Sequence, residues 1–154
     1  SDYVIREFEL DPLIRRSVKK FAGDFITKHL SLELMPTEAR VISDEKWLAF
    51  VIEQILSNSL KYTREGSVRI YMTGPKTLCI RDTGIGIAPE DLPRIFEKGY
   101  TGRTGRSDMR ASGLGLYLCR RVCNKLGHGI SAVSAPDEGT EIRIDLSSYN
   151  LEPN

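Results

Sequence analysis

The chain has 154 residues, enough for one domain with a real hydrophobic core. Its 22 basic and 21 acidic residues leave a net charge of +1, which excludes bulk attraction to nucleic acid or an anionic membrane and makes any phosphate affinity local. Three cysteines argue against a disulfide framework and for a reducing compartment. Cys119 and Cys123, one helical turn apart with no His or second Cys pair beside them, read as buried apolar residues rather than metal ligands. No apolar run reaches bilayer-spanning length, and no stretch of these residues reads as a signal peptide. The chain begins Ser1-Asp2 without an initiating Met, which leads to the expectation of a piece cut from a longer protein.

In chain order, Glu7 to Leu10 alternate like a strand, and Asp11-Pro12 reads as a cap with Pro in the first helical position. One helix is expected to follow, with Ile14, Val18, Phe21 and Phe25 at helical spacing and Ile26 beside them. Arg15, Arg16, Lys19 and Lys20 fill its solvated side. Leu30, Leu32 and Leu34 predict a second strand, Met35-Pro36-Thr37 a turn, and Arg40 to Ile42 a short third strand. His29, with no acidic neighbour, reads as structural or exposed.

Ser43-Asp44 caps a helix expected to run to about Tyr62, with Leu48, Val51, Ile52, Ile55, Leu56 and Ser59 facing inward. Beside that stripe, Gln54, Asn58, Lys61 and Tyr62 project from neighbouring positions. An exposed face more usually carries Glu and Lys. The functional reading makes the Asn58 amide oxygen a neutral ligand for Mg²⁺ and Lys61 a point charge for a phosphate. A plain polar helix edge is an equally open reading of this segment alone.

Val68, Ile70 and Met72 alternate, Gly74-Pro75-Lys76 reverses the chain, and Thr77 to Asp82 forms the return strand. Asp82-Thr83-Gly84-Ile85-Gly86-Ile87 follows. An ionised carboxylate only accepts hydrogen bonds, which suits the exocyclic amine of adenine and repels a carbonyl. Glycines at 84 and 86 let the backbone turn or lie flat against a ring. Taken alone, the motif is also what a tight Asp/Gly turn looks like. Pro89-Glu90-Asp91 is expected to start a short helix holding Leu92, Ile95 and Phe96, with Phe96 as a core plug.

From Gly99 to Ser112 the chain carries three glycines and three arginines with hardly an apolar residue. This reads as a mobile loop whose Arg103 or Arg106 closes on phosphate. Gly113-Leu114-Gly115-Leu116 opens a helix with Leu114, Leu118, Val122 and Leu126 expected on one face and Gly127 as its stop. Glycines at a helix start leave N–H groups bare toward an anion, although no Lys-Ser or Lys-Thr makes this a P-loop. Ile130 to Ala135, a turn at 136–139, and Thr140 to Leu146 close a mixed sheet covered on one side by helices. His128 reads as structural.

The order of these motifs resembles the ATP-binding catalytic domain of sensor histidine kinases, within the wider group of gyrase-type, heat-shock-chaperone and mismatch-repair ATPases. Asn58 to Thr63 resembles the family's Asn box, Asp82 to Gly86 its first Gly box, Phe96 its Phe box and Gly113 to Leu116 its second Gly box. The resemblance implies an α+β fold, a two-layer sandwich of the Bergerat type. It makes residues 1–154 a single ATP-binding domain with ATP and Mg²⁺ as cofactors. The implied nucleotide contacts are Asn58, Lys61, Tyr62, Asp82, Gly84, Gly86, Ile87, Phe96, Thr101, Gly113, Leu114, Gly115, Leu116 and Thr140. Asn58 would hold Mg²⁺, and Asn58, Lys61, Arg103 and Arg106 would assist catalysis beneath an ATP lid at 99–112. Implied partners are a phosphoacceptor His domain of the same protein and a response regulator, with no nucleic acid. The setting would be the cytoplasmic part of a membrane-anchored bacterial protein, anchored through what precedes Ser1. Phe96 to Gly99 and Cys123 to His128 resemble small membrane kinases of the bacitracin-sensing type.

Two departures from the pattern matter. Hydrolysing relatives carry a Glu one helical turn before the Asn, and this chain has Gln54, which takes no proton at neutral pH and so points to transfer rather than hydrolysis, provided Glu53 is one position out of line. A phosphoacceptor His in the family is followed by an acidic residue, and neither His29-Leu30 nor His128-Gly129 fits. The acceptor is therefore expected outside these residues. A stand-alone serine kinase of the anti-sigma type, a hydrolytic ATPase and an interaction domain that has lost nucleotide remain as alternatives.

Overall fold

The computed structural model describes residues 2–101 and 114–147. Its main sheet has five strands in the order β2 (Ser31–Leu34), β4 (Ser67–Thr73), β5 (Thr77–Asp82), β7 (Thr140–Asp145), β6 (Gly129–Ser134). β2 runs parallel to β4 and every other pair is antiparallel, so the sheet is mixed. The period-2 pattern decides which face is dry. Val68, Ile70, Leu78, Ile80, Ile142 and Ile144 are buried on one side, whereas Arg69, Arg81 and Arg143 lie exposed on the other. A second, two-stranded sheet that the sequence did not announce pairs β1 (Arg6–Glu9) with β3 (Arg40–Ser43), setting Phe8 opposite Val41.

Among the described residues four helices pack on the apolar side: α1 (Leu10–Lys19), α2 (Ala22–Lys28), α3 (Glu45–Tyr62) and α4 (Gly115–Leu126). This is the expected two-layer α+β arrangement. α3 is its axis, with Leu48, Val51, Ile52, Ile55 and Leu56 fully buried. Asp44 fixes its start, since Oδ1 accepts from Trp47 N–H at 2.9 Å and Oδ2 from Val4 N–H at 2.6 Å. Among the described residues no helix is long and apolar enough to cross a membrane.

The structure corrects several expectations. The single helix after Pro12 is two, broken around Lys20–Phe21, and it starts earlier, at Leu10. Asp11 therefore lies inside the first turn and is no cap. Its carboxylate accepts from Thr37 N–H at 3.0 Å and Glu38 N–H at 2.9 Å, holding a loop in which Glu38 has a left-handed φ of 53°. Ile26 follows the buried Phe25 but is 75% exposed. The expected helix after Pro89 is only a 3-10 turn, Leu92–Arg94. Phe96 is no core plug, because Ile95 packs against the core while Phe96 is half-buried beneath the Arg120 guanidinium, 4.4 Å from its ring centre.

The phase of α4 also differs. Cys119, Val122, Cys123 and Leu126 are buried, and Leu114 and Leu118 are 38% and 39% exposed. Cys119, lying 3.8 Å from the Val51 carbonyl oxygen, occupies the seam with α3 that the leucine spacing had given to Leu118. All three cysteines are free and buried, and burial pushes the Cys123 thiol up to about 12.

His128 is structural, as read. It is buried where α4 meets β6, with Nε2 2.8 Å from Ser43 Oγ, while His29 is exposed. Burial pushes the His128 pKa from 6.5 down to about 4, against the opposing charge of Asp145. The folded pKa lies below the unfolded one, so stability is complete above about pH 6.5 and falls as pH drops toward 4, by roughly 3 kcal/mol. Urea midpoints at pH 7.5, 5.5 and 4.5 should fall in that order, and His128→Gln should flatten the dependence. An unchanged slope in the variant would remove His128 as its source.

Candidate functional site

The site grows from the end of β5. Asp82 is the strand's last residue, paired with Val68 on β4 and Thr140 on β7, and it points to the same face as the buried Leu78 and Ile80. A carboxylate that is only 6% exposed needs donors, and it has them. Oδ1 accepts from Gly84 N–H at 2.9 Å and Thr140 N–H at 3.1 Å, and the Ser59 hydroxyl of α3 also hydrogen-bonds to the carboxyl. Burial nevertheless raises the Asp82 pKa above the ordinary carboxylate value, against the lowering by these donors and by the Arg81 charge.

Backbone contacts bind three segments around this carboxylate. Ile85 N–H donates to the Tyr62 carbonyl at 3.1 Å, tying the loop to the end of α3, and Asp137 N–H donates to the Ile85 carbonyl at 2.7 Å, tying in the β6–β7 turn. Ser134 Oγ accepts from Ile87 N–H at 2.8 Å and donates to the Gly139 carbonyl at 2.7 Å. The approach is too close for side chains. A Cβ on Gly84 would lie 2.4 Å from the Tyr62 carbonyl oxygen, and Gly86, at φ 75°, has the Ala135 carbonyl oxygen 1.9 Å from where its Cβ would be.

The polar stripe of α3 runs up to the same place. Gln54, Asn58 and Tyr62 are half-buried and Lys61 is exposed, its Nζ 5.6 Å from the Tyr62 ring centre. Gln54 Oε1 lies 2.9 Å from the point a Cβ of Gly115 would occupy, so the stripe abuts the first residue of α4. Leu114 at that helix start makes no side-chain capping bond, and the first-turn amides and dipole favour an anion there. Glu53 is turned away, paired at 3.2 Å with Lys20, which caps the end of α1. Gln54, not Glu53, therefore shares the Asn58 side.

Asn58, Gln54, Tyr62, Asp82, Gly84, Gly86, Thr140 and Gly115 thus gather where α3, β5, β7 and α4 converge. Leu116 packs partly against the core, and Phe96 sits at the outer side of α4, where Arg120 stacks on it and donates to the Ile130 carbonyl at 3.2 Å. Thr101 is half-buried at the end of the described segment. Arg103, Arg106 and Gly113, with nearly all of the expected lid at 99–112, lie outside the described residues. Sequence reasoning missed Ser134 and Gly139, whose Cβ would lie 1.9 Å from the Asp82 carbonyl oxygen. A polar residue at the inward position of β6 after Ile130 and Ala132 was the available signal. Among the described residues no three His, Cys, Asp or Glu side chains cluster to hold a metal.

The family described as histidine kinase-, DNA gyrase B- and HSP90-like ATPases matches residues 43–150. The sensor protein BceS of Bacillus subtilis is 36% identical over 153 residues, 97% of this chain and 46% of that protein. The sensor histidine kinase GraS of Staphylococcus epidermidis is 39% identical over 146 residues, covering 87% and 42%. The chain spans less than half the length of these curated relatives. Among solved structures, the mycobacterial sensor histidine kinase MprB superposes with a TM-score of 0.74 at 26% identity, over 92% of this chain and 95% of that one. Full-length ShkA in complex with AMPPNP superposes with a TM-score of 0.79 over 94% of this chain and 31% of that one, and at 20% identity shares the fold.

Gly86→Ala should destabilise the chain by about 2 kcal/mol or more, combining left-handed strain with a backbone clash. Gly74→Ala, also left-handed at φ 58° but with nothing within 4 Å of its Cβ, should cost about 1 kcal/mol. Equal urea midpoints for the two variants would show that Gly86 is not held by packing.

Proposed function

Because the chain belongs to the histidine kinase-, DNA gyrase B- and HSP90-like ATPases, we propose that it is the ATP-binding catalytic module of a two-component sensor histidine kinase. In the intact protein it would present the γ-phosphate of ATP to a His on a helical domain outside these residues, and a response regulator would receive the phosphoryl group next. The observation that carries this reading is the nearly buried Asp82 carboxylate, anchored by backbone N–H groups at the end of β5 and beside the end of α3. A charged acceptor in such a place is costly unless a ligand uses it.

On this reading Asp82 accepts from the adenine amine, and the Gly84 to Ile87 backbone, Tyr62, Thr140 and Thr101 surround base and ribose. The start of α4 from Gly113 through Leu116 takes the phosphates. Lys61 and a lid arginine, Arg103 or Arg106, neutralise charge that builds up during transfer. Asn58 would hold Mg²⁺, which offsets phosphate charge when bound. The donor set fits that role, because one neutral amide without an acidic cluster suits a metal whose remaining ligands come with the nucleotide. Gln54 supports transfer over hydrolysis, since no carboxylate of α3 stands at that position and Glu53 is engaged with Lys20. The names of the relatives favour a sensor kinase over an anti-sigma-type serine kinase. The module would work on the cytoplasmic side of a membrane-anchored protein, as expected for kinases of the bacitracin-sensing type.

Titration with ATP, ADP and GTP, with and without Mg²⁺, tests the reading. Asp82→Asn should weaken ATP binding by about 1.5 to 3 kcal/mol. It should not lower thermal stability. The folded pKa of Asp82 is raised, so its ionised form is a net cost to folding once pH exceeds that pKa, and the amide removes that cost. Unchanged ATP affinity, or equal affinity for GTP in the wild type, would remove Asp82 from the adenine role. Lys61→Ala should weaken ATP at least tenfold more than adenosine, on the order of 1.4 kcal/mol. Equal losses would contradict a phosphate contact.

A further inference from the structure

Thr63 follows α3 directly and is fully buried, and its Oγ1 has no hydrogen-bond partner among the described residues. The other two side-chain atoms in that condition, Ser17 Oγ and His128 Nδ1, belong to α1 and to the junction of α4 with β6. Thr63 alone adjoins the Asp82 loop. The point where a Cβ of Gly84 would sit is 2.9 Å from Thr63 Oγ1 and 2.9 Å from Asp82 Oδ1, so the hydroxyl and the carboxylate flank the same glycine. Valine has the same shape as threonine, and a site that asked only for packing would be better filled by it.

Oδ1 already accepts two backbone N–H groups, from Gly84 and Thr140. A hydroxyl is the one neighbouring donor on a side chain that stands ready without being used. The Gly84 turn separates them, and that turn is tied to α3 through the Ile85 N–H to Tyr62 carbonyl bond.

We propose that Thr63 is a positioning residue for adenine recognition: when the base engages Asp82, the Thr63 hydroxyl turns to donate to the carboxylate across the Gly84 turn that the two already flank. The inference rests on the reading of Asp82 as the adenine acceptor. It makes the unmatched hydroxyl of the ligand-free state a group that nucleotide binding satisfies. Affinity thereby gains from a donor whose presence the free protein tolerates at a cost.

The test is Thr63→Val and Thr63→Ser in this chain, titrated with ATP and adenosine and followed by thermal unfolding without ligand. Val should bind both ligands about tenfold more weakly, because the lost donor serves the base end, while its ligand-free melting temperature stays equal or rises. Ser should bind within about twofold of wild type. ATP affinity in Val within twofold of wild type would overturn the proposal, and so would a fall in the ligand-free stability of Val, which would mark a structural role for the hydroxyl. Asp82→Asn separates the two levels. If it loses ATP and Thr63→Val does not, only Thr63 is misassigned; if it binds ATP like wild type, the adenine reading itself fails and the proposal with it.

Discussion

A carboxylate held nearly out of water at the end of a central strand is the constraint on which the rest of this structure depends. Asp82 cannot stand there without donors, and the donors come from segments far apart in the chain: the Gly84 amide two residues on, the Thr140 amide from the neighbouring strand, and the Ser59 hydroxyl from the helix above. To bring those donors in, the loop must lie against the Tyr62 and Ala135 carbonyls, which leaves no room for a Cβ at Gly84 or Gly86. The glycine pattern is thus the steric consequence of satisfying one buried charge.

α3 links that charge to the other end of the site. Its inner stripe is the largest single contributor to the core, and Ser59 on the same face reaches Asp82. The stripe beside it carries Gln54 to the first residue of α4 and Asn58 one turn further along. One rigid element therefore sets the distance between the end that would read the base and the end that would take phosphates. Division of labour within the helix is what lets core packing position chemistry.

The open face of the sheet is arranged differently. Arg81 and Arg143 both approach Glu141, which is nearly buried and also accepts from the Tyr71 hydroxyl. Hydrogen bonds from Tyr71, Arg143 and Arg81 and the Arg143 charge, against desolvation, hold the Glu141 pKa below the ordinary range, and Tyr71 is pushed up to about 12. These charges satisfy one another across strands and leave the helix-covered face to do the binding.

Sequence alone determined the strands and their faces, the extent of α3 with its Asp44 cap, and the ordered motifs of the site, because each is written in local periodicity or in residue types that few other conformations use. Alternation over β4, β5 and β7 specifies a buried face whatever the partner. Only the tertiary structure decided the phase of α4, the break at Lys20–Phe21, the 3-10 turn after Asp91 and the place of Phe96 beneath Arg120 rather than in the core. In α4, two adjacent stripes are both apolar, and contact with Val51 and Gln54 chose the one containing Cys119 over the one containing Leu118. The roles of Ser134, Gly139 and Thr63 were hidden for the same reason. Each acts through an atom that lies close to Asp82 or its loop only after strands distant in sequence have paired, and no local pattern records that approach.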